Sequence, residues 1–513
     1  MECFSEKIHL TLTPPSEDDA VSDHLRITDA LTAMGYERVH MPLKVMRMLY
    51  PMCRQSGFDI TVTLVCSADG WTVTAVESGD TTAKHYGLCV DYGSTTVVMQ
   101  LVDLNSGEVL DQVRVMNAQI EFGTDILTRI IHTLESDEHI ADMQRVTANT
   151  FNSLFDELCS RNGIDVKSLP VLIISGNTTM IHFLLGLNAW TVFASPYAPV
   201  TSDAGWFWGR DLGMDFEGMV YIIPSASNYI GGDIVSGLLS IDLAQRDEVA
   251  MFFDIGTNGE LVIGNRQWLM AGAGAAGPAL EGYISRFGMR AQDGTIDKVK
   301  IENGVLSYTT IGSKKPIGIC GSGIIDLLAQ MRLAGWVNIA GELVPEASES
   351  IVWHGEEEQY VVVYASAEES ALGEPLYFSQ LDIRQYLDTK AAAFTMIDCL
   401  MATAGCTEAD IDKCYLSGAF CAHSDLESAI TIGIFPDLPR EKFVAIPNSS
   451  LDGARTLLLD RNRLKDAEYI SRSAYCVQFA SIPDFIIRMQ AAKFIPHTDM
   501  ERFPIVAQKL NDR

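Results

Sequence analysis

Asp91-Tyr92-Gly93-Ser94-Thr95-Thr96 and Asp254-Ile255-Gly256-Thr257-Asn258-Gly259-Glu260 are near-copies of one phrase, and reading them as a pair decides the fold. Each follows an apolar run, Tyr86-Gly87-Leu88-Cys89-Val90 in the first case and Val249-Ala250-Met251-Phe252-Phe253 in the second. Each leads into another, Val97-Val98-Met99-Gln100-Leu101-Val102 and Leu261-Val262-Ile263. The pattern predicts strand, tight glycine turn, strand, used twice. Such a turn lines up backbone N–H groups and hydroxyls as a concave anion site, and an aspartate at its edge can hold a hydrated divalent cation. A single copy is also what an ordinary hairpin turn looks like, because aspartate and glycine are common there. Two copies, both after strands, favour phosphate. The expectation is a pair of hairpins gripping a nucleoside triphosphate from both sides. Gly93, Ser94, Thr95 and Thr96 would meet its oxygens from one hairpin and Gly256, Thr257 and Asn258 from the other, with Glu260 also in the cofactor site. Asp91 and Asp254 would orient Mg²⁺ through water and offset the charge that develops in phosphoryl transfer. There is no Gly-x-x-x-x-Gly-Lys-Ser/Thr, so this is not a P-loop chain.

Four further glycine-rich segments complete the candidate site. Gly321-Ser322-Gly323 runs into apolar Ile324-Ile325-Asp326 and reads as a loop opening a helix N-terminus, an anion-friendly geometry; a packing-driven glycine turn is the competing reading. Asp233, after Gly231-Gly232 at a helix start, either interacts with the helix dipole or positions the attacking water. Gly418-Ala419-Phe420 leaves a strand and suits an adenine or ribose platform, where glycine lets a ligand lie against the backbone. Gly272-Ala273-Gly274-Ala275-Ala276-Gly277 matches a dinucleotide fingerprint in form, but no βαβ unit follows it, so close backbone approach is preferred. Asn448-Ser449-Ser450-Leu451-Asp452-Gly453-Ala454 reads as a helix-capping segment.

Around these motifs the chain alternates strand and helix, which predicts an α/β fold. Residues 1–83 form a small α+β N-terminal domain of middle type: a helix capped by Ser22-Asp23 and a hairpin, Phe58–Val65 and Trp71–Val76, turning at Ala68-Asp69-Gly70. Residues 84–248 and 249–513 are the two similar halves, and the acidic stretch from Gly341 to Glu369 is expected to include exposed loops.

At 513 residues there is ample core for several domains, and a net charge of −30 argues against nucleic acid or an anionic membrane as partner. No apolar run approaches transmembrane length and the first residues lack a signal-peptide pattern, so the protein is expected in the cytoplasm. Eleven scattered cysteines include no Cys-x-x-Cys and no ferredoxin spacing, and they read as buried thiols rather than as disulfides or cluster ligands.

The duplicated hairpins and the late glycine strand exit resemble the acetate and sugar kinase/Hsp70/actin superfamily (ASKHA). Six phrases resemble, more specifically, the reductive activators of corrinoid proteins: the two aspartate hairpins, Asn117-Ala118-Gln119-Ile120-Glu121-Phe122-Gly123-Thr124-Asp125, Ala275-Ala276-Gly277-Pro278-Ala279-Leu280-Glu281-Gly282, Gly318-Ile319-Cys320-Gly321-Ser322-Gly323-Ile324-Ile325-Asp326, and the Asn448–Ala454 segment. The resemblance implies duplicated ribonuclease-H-like (actin/Hsp70-like) halves around a nucleotide cleft. It also implies an ATPase that uses Mg-ATP to help return a Co(II) corrinoid protein to Co(I), and a homodimer. Members of the family commonly carry an iron–sulfur domain at one end, whereas no cysteine cluster occurs at either end of this sequence. The expectation is therefore no iron–sulfur cluster and a separate redox protein as electron donor. A small-molecule kinase of the same fold, an electron-donating ATPase with a cluster bridged between subunits, and a non-enzymatic binding module are the alternatives.

Overall fold

The computed structural model describes residues 2–256, 259–274, 282, 284–418 and 424–512. They divide into two compact units, residues 1–245 with 449–473, and residues 246–448 with 474–513.

The first unit opens with β1 (Ser5–Thr11), α1 (Asp23–Ala33), β2 (Val39–His40), α2 (Leu43–Gln55), β3 (Asp59–Ser67) and β4 (Gly70–Ser78). The strands form one sheet in the order β1-β3-β4-β2. Ser22 caps α1 by accepting from Leu25 N–H, as its position before an apolar-periodic stretch predicts. Ile27, Leu31, Val45, Leu49 and Cys53 of the two helices pack with Ile60, Val62, Leu64, Val73 and Val76 of the sheet.

The second sheet of this unit takes β5 (Tyr86–Tyr92), β6 (Thr96–Asp103), β7 (Val109–Met116), β8 (Val171–Gly176), β9 (Gly205–Trp208) and β10 (Met219–Ile222), in the order β7-β6-β5-β8-β10-β9. β5 is antiparallel to β6 and parallel to β8. Helices α3 (Ile126–Thr133), α4 (Asp137–Asn162), α5 (Thr178–Leu184), α6 (Trp190–Phe193) and α7 (Gly232–Ser240) accompany it. β8 is buried along its whole length, and Met143, Phe151, Leu154, Phe155 and Leu158 of α4 join it in the core. Strands buried on both faces read as continuous apolar runs, as Val171-Leu172-Ile173-Ile174 does.

The second unit repeats the plan. β11 (Ala250–Ile255), β12 (Gly259–Asn265) and β13 (Trp268–Gly274) are antiparallel neighbours, and β20 (Lys413–Ser417) and β21 (Phe443–Ile446) extend the sheet in parallel from β11. β13 pairs at its other edge with β22 (Ala474–Cys476), giving the order β21-β20-β11-β12-β13-β22. Each unit thus holds three antiparallel strands followed by two parallel ones, with the aspartate hairpin between the first two. That is the duplicated ribonuclease-H-like (actin/Hsp70-like) α/β fold.

Between β13 and β20 lie β14 (Thr295–Glu302), β15 (Val305–Thr310), β16 (Gly318–Ile319), α8 (Gly321–Ala334), β17 (Ile351–His354), β18 (Gln359–Ala365), β19 (Leu376–Ser379) and α9 (Gln380–Ala404). The acidic stretch expected to include exposed loops supplies β17 and β18, because Val361 and Val362 are apolar enough to be wholly buried against β17 and β19. After α10 (Leu426–Ile432) and β21, the chain runs through α11 (Ser449–Leu459) and α12 (Leu464–Ser473), which belong to the first unit. It ends with α13 (Phe485–Ala492) and α14 (Pro504–Asn511) in the second. Among the described residues no helix is long and apolar enough to cross a membrane.

Candidate functional site

In the first unit the candidate site grows from the end of β5. Asp91 is half-exposed, as are Gly93, Ser94, Thr95 and Thr96 of the turn. Gly93 is required by space: a Cβ there would lie 2.5 Å from Thr96 O. Asp91 stands opposite Ser175 in the parallel β5–β8 pair. Ser450, in the first turn of α11, donates its hydroxyl to Asp91 Oδ1 at 2.8 Å and lies 2.9 Å from Ser175 Oγ. Ser175 Oγ in turn reaches Gly232 O at 3.2 Å.

This chain of hydroxyls joins Asp91 to the start of α7, where Asp233 Oδ1 accepts from Ile234 N–H at 2.9 Å. The two glycines before Asp233 make the approach possible. A Cβ on Gly231 would lie 2.5 Å from Asn177 Cα, and one on Gly232 2.5 Å from Ile223 O. The structure therefore brings Asp91 and Asp233 to one corner of the first unit. α11 reaches that corner because Gly453 presses against Ser236 O of α7, with no room for a side chain, and Ser236 Oγ donates to Ser450 O at 2.7 Å.

In the second unit Asp254 occupies the matching position at the end of β11. It pairs across the sheet with Ser417 on β20 and with Glu260 on β12. Ser417, which is buried, donates its hydroxyl to Asp254 Oδ2 at 3.1 Å. Gly418 follows with φ +90°, and a Cβ there would collide with Ile255 O and lie 2.8 Å from Asp254 Oδ1. Only glycine tolerates that backbone and that approach. Gly256 and Glu260 are half-exposed beside this carboxylate, whereas Thr257, Asn258, Ala419 and Phe420 lie outside the described residues. Among the described residues, a serine-held carboxylate with a glycine two residues on thus occurs in both units.

Gly321, Ser322 and Gly323 form the first turn of α8. The Ser322 hydroxyl donates to Asp297 O at 3.1 Å, and a Cβ on Gly323 would lie 2.5 Å from Ile296 O. Both contacts seat α8 on β14. Gly272, Ala273 and Gly274 of the fingerprint-like run lie on β13, where Phe479 and Met396 take the space a side chain on either glycine would need; residues 275–281 lie outside the described residues.

A cavity of about 480 Å³ opens between α8, the start of α10 and the β14–β15 hairpin, lined among others by Lys298, Asp326, Gln330, Asp425 and Ser428. It begins six residues beyond Gly418, with Ser424 in its wall. Asp326 is 7% exposed; its Oδ2 accepts a long 3.4 Å bond from Val299 N–H, and its Oδ1 is buried without a partner. Burial pushes this carboxyl up to about 6, against a smaller opposing effect of the Ser428 hydroxyl. Near pH 6 such a group is partly protonated, and the protonated form donates as well as accepts. Cavities of this size, with a few convergent polar groups, are typical of small-molecule sites.

Local sequence gives Ser175, Asp326 and Asp425 no role in the site, and gives Ser450 only a place in a helix-capping segment. Ser450 and Asp326 do sit inside two of the six quoted phrases, which was the available signal. What no local pattern supplies is that Ser450 lies against Asp91, 359 positions away.

Comparison with known proteins agrees along the length of the chain. Residues 1–83 match the RACo linker region, 86–246 the RACo middle region, and 248–507 the C-terminal domain of RACo, the ASKHA domain. The family's middle region is therefore the stretch 86–246, not the first 83 residues. The corrinoid activation enzyme RamQ of Eubacterium limosum is 30% identical over 411 residues, 78% of this chain and 69% of that protein. The [Co(II) methylated amine-specific corrinoid protein] reductase of Methanosarcina barkeri is 23% identical over 75% of this chain and 72% of its own length. A solved structure of a reductive activator for corrinoid, iron–sulfur protein superposes with a TM-score of 0.85 at 34% identity, covering 98% of this chain and 81% of that one. The chain belongs to the RACo family, the reductive activators of corrinoid proteins.

Proposed function

We propose that this protein is an ATPase that uses Mg-ATP to return a corrinoid protein from Co(II) to Co(I), with the electron supplied by a separate redox protein. The corrinoid substrate is supported by family membership and by the activities in the relatives' names, corrinoid activation and reduction of a Co(II) corrinoid protein. The nucleotide rests chiefly on one observation: an aspartate held by a serine hydroxyl stands at the same place in the sheet order of both units, Asp91 by Ser450 of α11 and Asp254 by Ser417 of β20, each followed by a glycine two residues on. The donor sets fit the group. Half-exposed carboxylates, Asp91 and Asp254, can hold hydrated Mg²⁺, and turns without side chains at Gly93 and Gly256 leave room for phosphate. Asp233 would orient the attacking water, and the cavity beside Asp326 would take the nucleoside. When bound, Mg-ATP supplies a hydrolysable phosphoanhydride.

ATP can drive an unfavourable electron transfer only if nucleotide states differ in affinity for the corrinoid protein. The external electron donor is supported by the cysteines: no Cys-x-x-Cys occurs in these 513 residues, and most of the described thiols are buried. A homodimer is expected by family analogy. The test is anaerobic. The protein and its corrinoid partner, identified by pull-down with and without Mg-ATP, are mixed with a low-potential reductant, and Co(I) is followed by its absorbance. Co(I) formation and phosphate release are each expected to need both Mg-ATP and both proteins. Co(I) appearing at the same rate without nucleotide would sink the ATP reading.

A further inference from the structure

The segment Asn117–Asp125 is one of the family phrases, yet the proposed reaction leaves it without a role. In the structure it lies directly behind the first phosphate turn and holds it by its carbonyls. Asn117 Nδ2 donates to Gly93 O at 2.9 Å, Arg129 Nη1 to Ser94 O at 2.7 Å, and Asn117 N–H to Thr95 O at 2.9 Å. Tyr92, just before the turn, is fixed through its hydroxyl by Gln119 Nε2 at 2.6 Å and Thr147 Oγ1 at 3.0 Å. Arg129 also donates from Nε to Gly123 O at 2.9 Å and from Nη1 to Gln119 Oε1 at 3.3 Å. Asn117, Gln119, Thr147 and Arg129 are all at most 1% exposed.

In a planar trans peptide the C=O of one residue and the N–H of the next point in opposite directions. With the carbonyls of residues 93, 94 and 95 drawn inward, the N–H groups of Ser94, Thr95 and Thr96 face the outer side of the turn. Arg129 adds a second effect. Its oxygen acceptors are two main-chain carbonyls and an amide oxygen; burial works against its charge, but a guanidinium stays protonated in a protein, so a buried cation stands behind the turn. A charge-assisted bond to Ser94 O polarises that peptide and makes Thr95 N–H a better donor.

We propose that Arg129, assisted by Asn117, is a positioning residue for the nucleotide's phosphates: it acts through the main chain, aiming three N–H groups outward and placing a buried positive charge behind them. The inference rests on the nucleotide reading above.

The test compares the affinities of Mg-ATP and adenosine for the full chain, by anaerobic calorimetry, in the parent, Arg129→Gln and Arg129→Lys. Arg129→Gln is expected to weaken Mg-ATP roughly 10- to 100-fold, the range of one or two charge-assisted bonds, and to leave adenosine within about twofold. Arg129→Lys, which keeps the charge but not the fork, is expected to fall between. Should Arg129→Gln not fold, Asn117→Ala removes the side-chain bond to Gly93 O, together with the cap that Asn117 Oδ1 gives Gln119 N–H, and is expected to show the same selective loss. Equal losses for both ligands, or unchanged Mg-ATP affinity in a folded variant, would overturn the positioning role alone. A parent protein that binds neither ligand would overturn the nucleotide reading and this inference with it.

Discussion

Replacing Ser450 with alanine tests the site at its most specific contact. Ser450 is 5% exposed and donates its hydroxyl to Asp91 Oδ1 at 2.8 Å, while the neighbouring Ser175 keeps Gly232 O as an acceptor. The substitution therefore removes one charge-assisted bond without stranding its other neighbour. Such bonds contribute about 1.5–3 kcal/mol, and water recovers part of that at a half-exposed carboxylate, which leaves about 1–2 kcal/mol. At 1.4 kcal/mol per factor of ten, Mg-ATP binding should weaken about 5- to 30-fold. Adenosine, which does not use Asp91, should bind unchanged. Ser417→Ala is the internal comparison: its bond to Asp254 is longer, 3.1 Å, so a smaller loss is expected. Binding is read by calorimetry under anaerobic conditions, and turnover by Mg-ATP-dependent Co(I) formation. A folded Ser450→Ala protein with parental Mg-ATP affinity and rate would refute the claim that this serine holds a metal-binding carboxylate.

Three further outcomes are expected. Gly93→Ala puts a Cβ 2.5 Å from Thr96 O and should abolish measurable Mg-ATP binding while circular dichroism stays native. Asp326→Asn tests the buried carboxyl. Its folded pKa, about 6, lies above the unfolded value, so the folded state binds more protons between about pH 4 and 6 and loses stability as pH rises through that window. The variant should therefore melt higher than the parent at pH 7.5, with the difference vanishing near pH 4; an equal difference at both would contradict the assignment. Lys390, wholly buried on α9, donates from Nζ to the carbonyls of Ala492, Phe494 and Pro496. Lys390→Met leaves those carbonyls unpaired and should cost the second unit about 3–5 kcal/mol in urea unfolding, whereas less than 1 kcal/mol would show that water replaces the ammonium.

The sequence by itself determined the two aspartate–glycine hairpins, the strand character of the runs around them, and the duplicated α/β plan. Turn chemistry and apolar periodicity are local properties, visible within a window of ten residues. It also exposed Asp233 and Gly418, whose glycine neighbours or own backbone signal close approach. Other decisions needed the folded chain. Residues 449–473 return to the first unit, and this puts Ser450 on Asp91. Asn117 and Arg129 grip the phosphate turn from behind, and Asp326 is buried at a cavity shared by α8 and α10. Ser450, Asn117 and Arg129 are buried polar groups whose partners come from distant parts of the sequence, whereas Asp326 keeps one oxygen unpartnered at its cavity. Burial makes an unpaired donor or acceptor costly, so packing selects such partners, and no local periodicity records the choice.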